Sequence, residues 1–228
     1  MARTISLVDL RIQTRQRSDM ENALDRFPDP EVNMYIYQSW CALYDFLTSK
    51  NQDYYLSTFP TFNTVINVTS YALPADFYKV RGVDVTVNGF ARALSQWRFE
   101  ERERYNYYGT WNTGLPIAYH IVNGQIQFKP LPAGVYPVAL YYYPTAPQLI
   151  GDGDTINGVD GFEEWVVIDA AIKILTKDDR DVSVLSSERD RVLARVGTMM
   201  SNQDAGEPTR ILRRKLVNFG PQSWKWRA

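Results

Sequence analysis

The stretch DGFEEWVVIDAAIKILTK, residues 160–177, decides the fold of this chain of 228 residues. After an acidic start its side chains are apolar on nearly every side of a helix, and such a helix is buried from several directions. Asp160 and Glu163 have the spacing of a capping box, and Asp169 and Lys173 are spaced to pair within the helix. We therefore expect one central helix against which other helices pack.

The preceding segment GDGDTINGV, residues 151–159, resembles a calcium loop because acidic residues alternate with glycines. An EF-hand counted from Asp152 requires a ligand oxygen at position five and glycine at position six. This sequence has Ile156 and Asn157 there. We expect a polar connection rather than a metal site.

Start signals and apolar spacing indicate three further helices. Ser6 with Asp9 three residues later is typical of an N-cap, and Asp29 before Pro30 places a capping carboxylate ahead of a first-turn proline. The helix after Asp29 carries an apolar stripe at steps of three and four: Val32, Ile36, Trp40, Leu43 and Leu47. The helix over residues 183–201 has one apolar face: Leu185, Val192, Val196 and Met199.

From about residue 54 to residue 143 the apolar period changes to two, which is typical of strands. Alternation predicts strands over 64–68, 78–85, 120–122, 125–128 and 135–143. Asn88-Gly89 and Asn123-Gly124 are typical of tight hairpin turns. Residues 94–109 have the pattern of a short charged helix and a loop. We expect five or six antiparallel strands.

Together these segments predict an α+β protein: an α-helical bundle of about four helices, an inserted antiparallel β unit and an extended C-terminal arm. Residues 1–50 and 160–203 are assigned to the bundle, 51–159 to the β-rich domain and 204–228 to the arm.

Composition excludes several chemistries. With one cysteine, Cys41, and one histidine, His120, the chain can form neither an intramolecular disulfide nor a zinc site of Cys and His ligands. His120 lies in an apolar strand, where a structural role is expected. No apolar run approaches the roughly 20 residues of a membrane helix, so we expect a soluble protein made in a cytoplasm. The sequence predicts no metal and no cofactor.

Charge is distributed unevenly along the chain. Residues 1–17 carry four Arg and one Asp, a net charge of +3, and residues 207–228 carry six Lys or Arg and one Glu, a net charge of +5. The total of −1 therefore leaves −9 on residues 18–206. An acidic body with basic ends suits contacts with an acidic protein surface or with nucleic acid. Solvated tails are the alternative.

Two aromatic and basic segments are candidate contact surfaces. The first is a predicted subunit or tail interface of Trp97, Arg98, Phe99, Arg102, Arg104, Tyr107, Tyr108 and Trp111. Trp and Arg are enriched in interface cores, although half of these rings could instead cap the β unit. The second is the arm, with Arg210, Arg213, Arg214, Lys215, Phe219, Trp224, Trp226 and Arg227. It could dock into a groove on another chain or bind nucleic acid by stacking.

Three longer stretches resemble the head–tail adaptor proteins of tailed bacteriophages: LPADFYKVRGVDV (73–85), GLPIAYHIVNGQIQFKPLPAG (114–134) and DGFEEWVVIDAAIKILTKDDRDVSVLSSERDRVLARV (160–196). The resemblance implies a virion structural protein without enzyme activity, made in the bacterial cytoplasm and located at the head–tail junction. It implies a homo-oligomeric ring, dodecameric if it follows the portal, between the portal and a downstream tail or nozzle protein. Double-stranded DNA would pass through the lumen without sequence-specific binding. The arm would contact the portal.

Two other functions stay open at this point. The aromatic β unit could bind a carbohydrate or a receptor as a tail-associated module. A glycoside hydrolase would need two carboxylates, for which Glu100, Glu101 and Glu103 are candidates.

Overall fold

The computed structural model describes residues 3–50, 55–101, 113–158 and 161–201. These residues form four helices, α1 (Leu7–Arg17), α2 (Asp29–Lys50), α3 (Glu163–Lys177) and α4 (Ser183–Ser201). Helix α3 packs against α1, α2 and α4 and is buried on most sides. The prediction of a central helix is confirmed.

Twelve strands are present in the same ranges. They are β1 (Arg3–Ser6), β2 (Ser57–Asn63), β3 (Ser70–Ala72), β4 (Phe77–Val87), β5 (Phe90–Ala93), β6 (Ser95–Gln96), β7 (Thr113–Gly114), β8 (Ala118–Val122), β9 (Gln125–Lys129), β10 (Leu131–Pro132), β11 (Pro137–Pro144) and β12 (Thr155–Gly158).

Eight of the strands form two four-stranded sheets, in the orders β2-β11-β4-β5 and β3-β9-β8-β6. The chain passes from one sheet to the other at residue 94: Leu94 N donates to Val83 O at 2.8 Å, and Ser95 N donates to Ile117 O at 3.2 Å. Side chains from both sheets share a second hydrophobic core that includes Val83, Phe128 and Leu140. We call these two sheets and their core the β unit.

The prediction of a helical bundle with an antiparallel insertion is wrong, whereas the mixed α+β class is correct. The helices alone do not form the predicted bundle, because the core around α3 also contains side chains from outside the helices. These are Ile5 of β1, Ile156 of β12, and Leu149 from the segment before β12. Strands β1 and β12 pair antiparallel with Ile5 opposite Ile156. The sheets are also mixed, since β6–β8 and β10–β7 pair in parallel. The predicted arm, 204–228, lies outside the described residues.

The two hairpin turns are confirmed. Asn88 and Gly89 have φ angles of 51° and 81°, and Asn123 and Gly124 have 51° and 69°. Positive φ at both central residues defines the turn that matches the twist of paired strands. The first turn joins β4 to β5, and the second joins β8 to β9.

Four local predictions need correction. Residues 64–68 form a turn rather than a strand, and Val68 N donates to Val65 O at 3.2 Å across it. Residues 155–158 of the expected polar connection form β12. On α4 the buried methionine is Met200, four residues after Val196, and Met199 is exposed. In the predicted helix and loop over 94–109, the described part contains β6 and a single turn at 99–101.

Helix starts follow the sequence signals in part. Ser6 caps α1, since its hydroxyl accepts the amide of Asp9 at 3.2 Å. Asp29 does not act as predicted: it lies inside α2, and its carboxylate contacts Arg15 Nη2 at 2.8 Å. Helix α3 has Phe162 at its N-cap without a side-chain cap bond, and Glu163 instead accepts the amide of Gly161 at 3.0 Å. Asp160 lies outside the described residues.

Candidate functional site

The acidic loop before β12 binds its own backbone and α1. The Asp154 carboxylate accepts the amides of Gly151 at 2.8 Å and Ile150 at 2.7 Å. These two hydrogen bonds lower the pKa of Asp154. Asp152 pairs with Arg11 at 2.9 Å. Across residues 3–50, 55–101, 113–158 and 161–201, no three His, Cys, Asp or Glu side chains are grouped as metal ligands would be.

A buried polar cluster joins α2, α3 and α4. The Asp169 side chain accepts hydrogen bonds from Ser39 Oγ at 2.8 Å and Arg189 Nη1 at 3.3 Å, and it pairs with Lys173 Nζ at 3.0 Å. Lys173 also donates to Ser39 Oγ at 2.8 Å. The predicted pairing of Asp169 with Lys173 is confirmed. Since the contacts of this cluster lie within α3 or join it to α2 and α4 in one core, its chemistry is structural.

Two aromatic residues of the predicted interface lie in the described part of the chain. Trp97 is buried and Phe99 is exposed. Trp97 is 5% exposed and packs on the His120 ring, with ring centres 4.5 Å apart. Phe99 is 61% exposed, and Arg98 N donates to Glu101 Oε2 at 3.0 Å. Packing within the β unit is therefore favoured for Trp97. The other predicted residues, Arg102, Arg104, Tyr107, Tyr108 and Trp111, lie outside the described residues.

His120 has the structural position that the sequence favours. It lies on β8, half-buried, and its Nδ1 is 3.1 Å from Trp97 O. Together the ring contact and the carbonyl contact hold the strand segment around Trp97 against β8.

Tyrosine side chains connect the helical core to the β unit. Tyr44 of α2 donates its hydroxyl to Pro144 O at 2.7 Å, and Tyr78 of β4 donates to Asp45 Oδ1 at 2.9 Å. Burial raises the pKa of Tyr44 to about 12, with a smaller contribution from Asp45. The hydrogen bond from Tyr78 to Asp45 raises the pKa of Tyr78.

A small cavity opens at this junction. It has a volume of about 220 Å³, and its lining includes Tyr37, Cys41, Tyr44, Asp45, Tyr78 and Ala146. We call it the junction pocket. Sequence analysis missed it, because its walls come from α2, β4 and the segment after β11. The only sequence signal was the abundance of tyrosine in a chain with 15 of them.

All eight predicted portal-binding residues, Arg210, Arg213, Arg214, Lys215, Phe219, Trp224, Trp226 and Arg227, lie outside the described residues. None of the helices in the described ranges is long and apolar enough to cross a membrane.

The described residues thus define a mixed α+β protein whose polar clusters join its own elements to one another. Comparison with known families identifies it further: the profile of the SU10 adaptor protein family matches residues 6–212, and the chain belongs to that family. A search of curated proteins gave no match. The chain is accordingly a phage structural adaptor protein, a virion component that associates with other head or tail proteins.

Proposed function

We propose that this chain is a head–tail adaptor that forms a ring, joins the portal to the tail and continues the DNA channel. The observation that carries the proposal is the family match over residues 6–212, which spans both hydrophobic cores. A ring of identical subunits uses two different patches on each copy, because only head-to-tail contacts close into a ring of many members. A dodecamer follows if the ring copies a twelve-fold portal.

The charge distribution supports a role around DNA. Residues 18–206 carry a net charge of −9, while both ends are basic. An acidic lumen repels phosphates, so that DNA moves through without being held. The basic, aromatic arm is then left for a protein partner, and we assign it to the portal. The segment after the buried Trp97, up to Trp111, is assigned to a neighbouring subunit or to the tail.

The proposal includes no catalytic step. The carboxylates of Asp154, Asp152 and Asp169 are engaged by backbone amides or cations of the same chain. The division of the chain into 1–50 with 160–203, 51–159 and 204–228 also stays a prediction. Limited proteolysis would test it, since cuts should fall near residues 51, 160 and 204.

Electron microscopy of the protein mixed with its portal tests the proposal. The full chain should form a symmetric ring on the portal, and a variant lacking residues 205–228 should fail to dock while keeping its fold. A tail module that binds saccharides would behave differently: its binding would survive the deletion, and it would have no measurable affinity for the portal. That second pattern would overturn the adaptor proposal.

A further inference from the structure

Phe90 is presented to solvent at the tip of the first hairpin. It is 76% exposed, more than Phe99 at 61%. It directly follows the Asn88-Gly89 turn and pairs across the hairpin with Val87. The segment Val85–Ala91 contains no charged residue. A phenyl ring gains no hydrogen bond in water, so this exposed ring would be stabilised by burial against a partner.

Arg92 lies on the same face of β5 as Phe90, because alternate residues of a strand point to the same side. It is exposed, and within the described residues it makes no ion pair. The hairpin therefore presents the exposed Phe90 side chain, which we call the knob. The cation of Arg92, unpaired among the described residues, lies two positions further along β5.

The junction pocket has the properties that this knob requires. Its volume of about 220 Å³ exceeds the roughly 150 Å³ of an engineered apolar cavity that binds benzene. Tyr37, Tyr44 and Tyr78 supply aromatic walls, which favour an inserted ring. Asp45 is exposed and contributes the only charged side chain of the described lining. Its carboxylate complements the charge of Arg92.

The knob and the pocket of one chain cannot meet. Tyr78 lies near the start of β4, and the hairpin that carries Phe90 follows its end at Val87. Nine residues of strand at about 3.3 Å each separate the two by about 30 Å. Complementary features at opposite ends of one element generate a head-to-tail contact between copies, the type that closes into rings.

We propose that Phe90 of one copy inserts into the junction pocket of the next copy, with Arg92 of the first copy pairing with Asp45 of the second. The inference rests on the proposed ring and names one of its subunit contacts. Trp224 or Trp226 of the arm is the rival occupant, since either side chain is aromatic and lies next to a cation.

Cross-linking through the single native cysteine tests the contact. Cys41 lines the junction pocket, so the variant Phe90→Cys has one thiol in place of the knob and one in the pocket. A short bis-maleimide that replaces the length of the lost phenyl ring should join successive copies. Denaturing gels should then show a ladder beyond the dimer, because each copy carries both partners. Adding Cys41→Ser should remove the ladder and leave at most dimers.

Two controls define the result. Val184→Cys places a thiol at the same 76% exposure on α4 and should give no ladder. Trp224→Cys and Trp226→Cys test the rival occupant. A ladder from either of these, and not from Phe90→Cys, would overturn the proposal.

Substitutions give a second, independent readout. Phe90→Ala should weaken self-association roughly 30-fold, the typical loss for an anchor side chain at an interface. Arg92→Asp and Asp45→Arg should each weaken it roughly tenfold, and the double variant should recover most of the loss. If the double variant is as weak as the product of the single changes, the predicted ion pair is wrong.

The cross-link and the ring can fail separately. Rings on the portal without a Cys41-dependent ladder would refute the contact and leave the proposed function intact. A ladder in the free protein, with no ring on the portal, would support the contact and refute the proposed function. Absence of both would overturn both.

Discussion

Replacing Asp169 by alanine should destabilise the protein by about 3 kcal/mol. Asp169 is 8% exposed and contacts Ser39, Lys173 and Arg189 from three helices. Removing the carboxylate leaves Lys173 and Arg189 close together, and of the described residues only the exposed Asp190 still pairs with Arg189. Breaking a buried pair in this way costs about 3–5 kcal/mol. We expect the lower end of that range, because both cations retain partial contact with water.

Urea denaturation followed by circular dichroism measures this loss, and Asp190→Ala provides the matched control. Asp190 also contacts Arg189, at 3.0 Å, but its side chain is 67% exposed. Exposed pairs of this kind contribute about 0–1 kcal/mol. Ser39→Ala should cost about 1 kcal/mol for its hydrogen bond. If Asp169→Ala loses no more stability than Asp190→Ala, the polar cluster does not hold the three helices together.

Four further predictions concern local features. Asp179 has a φ of 56° just after α3 ends, a backbone conformation that glycine adopts more easily. Asp179→Gly should therefore raise stability by about 0.5–1 kcal/mol in thermal melts. A loss of stability would show that the Asp179 carboxylate matters. In contrast, Asp181 accepts the Ser183 amide at 2.9 Å, so Asp181→Ala should lower the melting temperature. The pKa of Tyr44 is raised from 10.0 to about 12, so the unfolded chain loses its proton first and stability should fall as pH rises through that window. Urea midpoints should fall less steeply in Tyr44→Phe, and an unchanged slope would contradict this. Calcium should leave the melting temperature unchanged, because Asp154 is engaged by two amides; a calcium-dependent rise would reverse that conclusion.

Helices and hairpin turns could be predicted from the sequence because their signals are local. The stripe from Val32 to Leu47 is buried as expected, and α4 spans the predicted residues 183–201. The same holds for Asn88-Gly89 and Asn123-Gly124, where a dipeptide alone determines the turn.

Contacts between distant segments could not be predicted in the same way. Strands β1 and β12 are four residues each and pair across about 150 positions, so neither has a periodic signal of its own. Residues 64–68 alternate like a strand, yet the Thr64 hydroxyl is used at the turn, where it accepts the Tyr136 amide at 2.8 Å. Pairing partners, which a single sequence does not identify, decided both outcomes.

The proposed contact site shows the same difference between local signals and contacts of distant segments. Asn88-Gly89 predicts a hairpin that places Phe90 at its tip, so the knob could have been found from the sequence. The junction pocket could not, because Cys41, Tyr78 and Ala146 approach one another only after α2 packs against the β unit.

The roles of the aromatic residues depend on whether they carry a hydroxyl. Three tyrosine hydroxyls donate hydrogen bonds to backbone or carboxylate oxygens of another segment. They belong to Tyr44, Tyr78 and Tyr55, at 2.7, 2.9 and 2.8 Å. A tyrosine can therefore close the boundary between two apolar cores, with its ring packed and its hydroxyl satisfied. Phenylalanine has no hydroxyl to satisfy, and Phe90 and Phe99 are 76% and 61% exposed. These three tyrosine hydroxyls are therefore engaged within the chain, whereas the two phenylalanine rings are exposed. Contacts with other copies or partners should be sought first at these two phenylalanines.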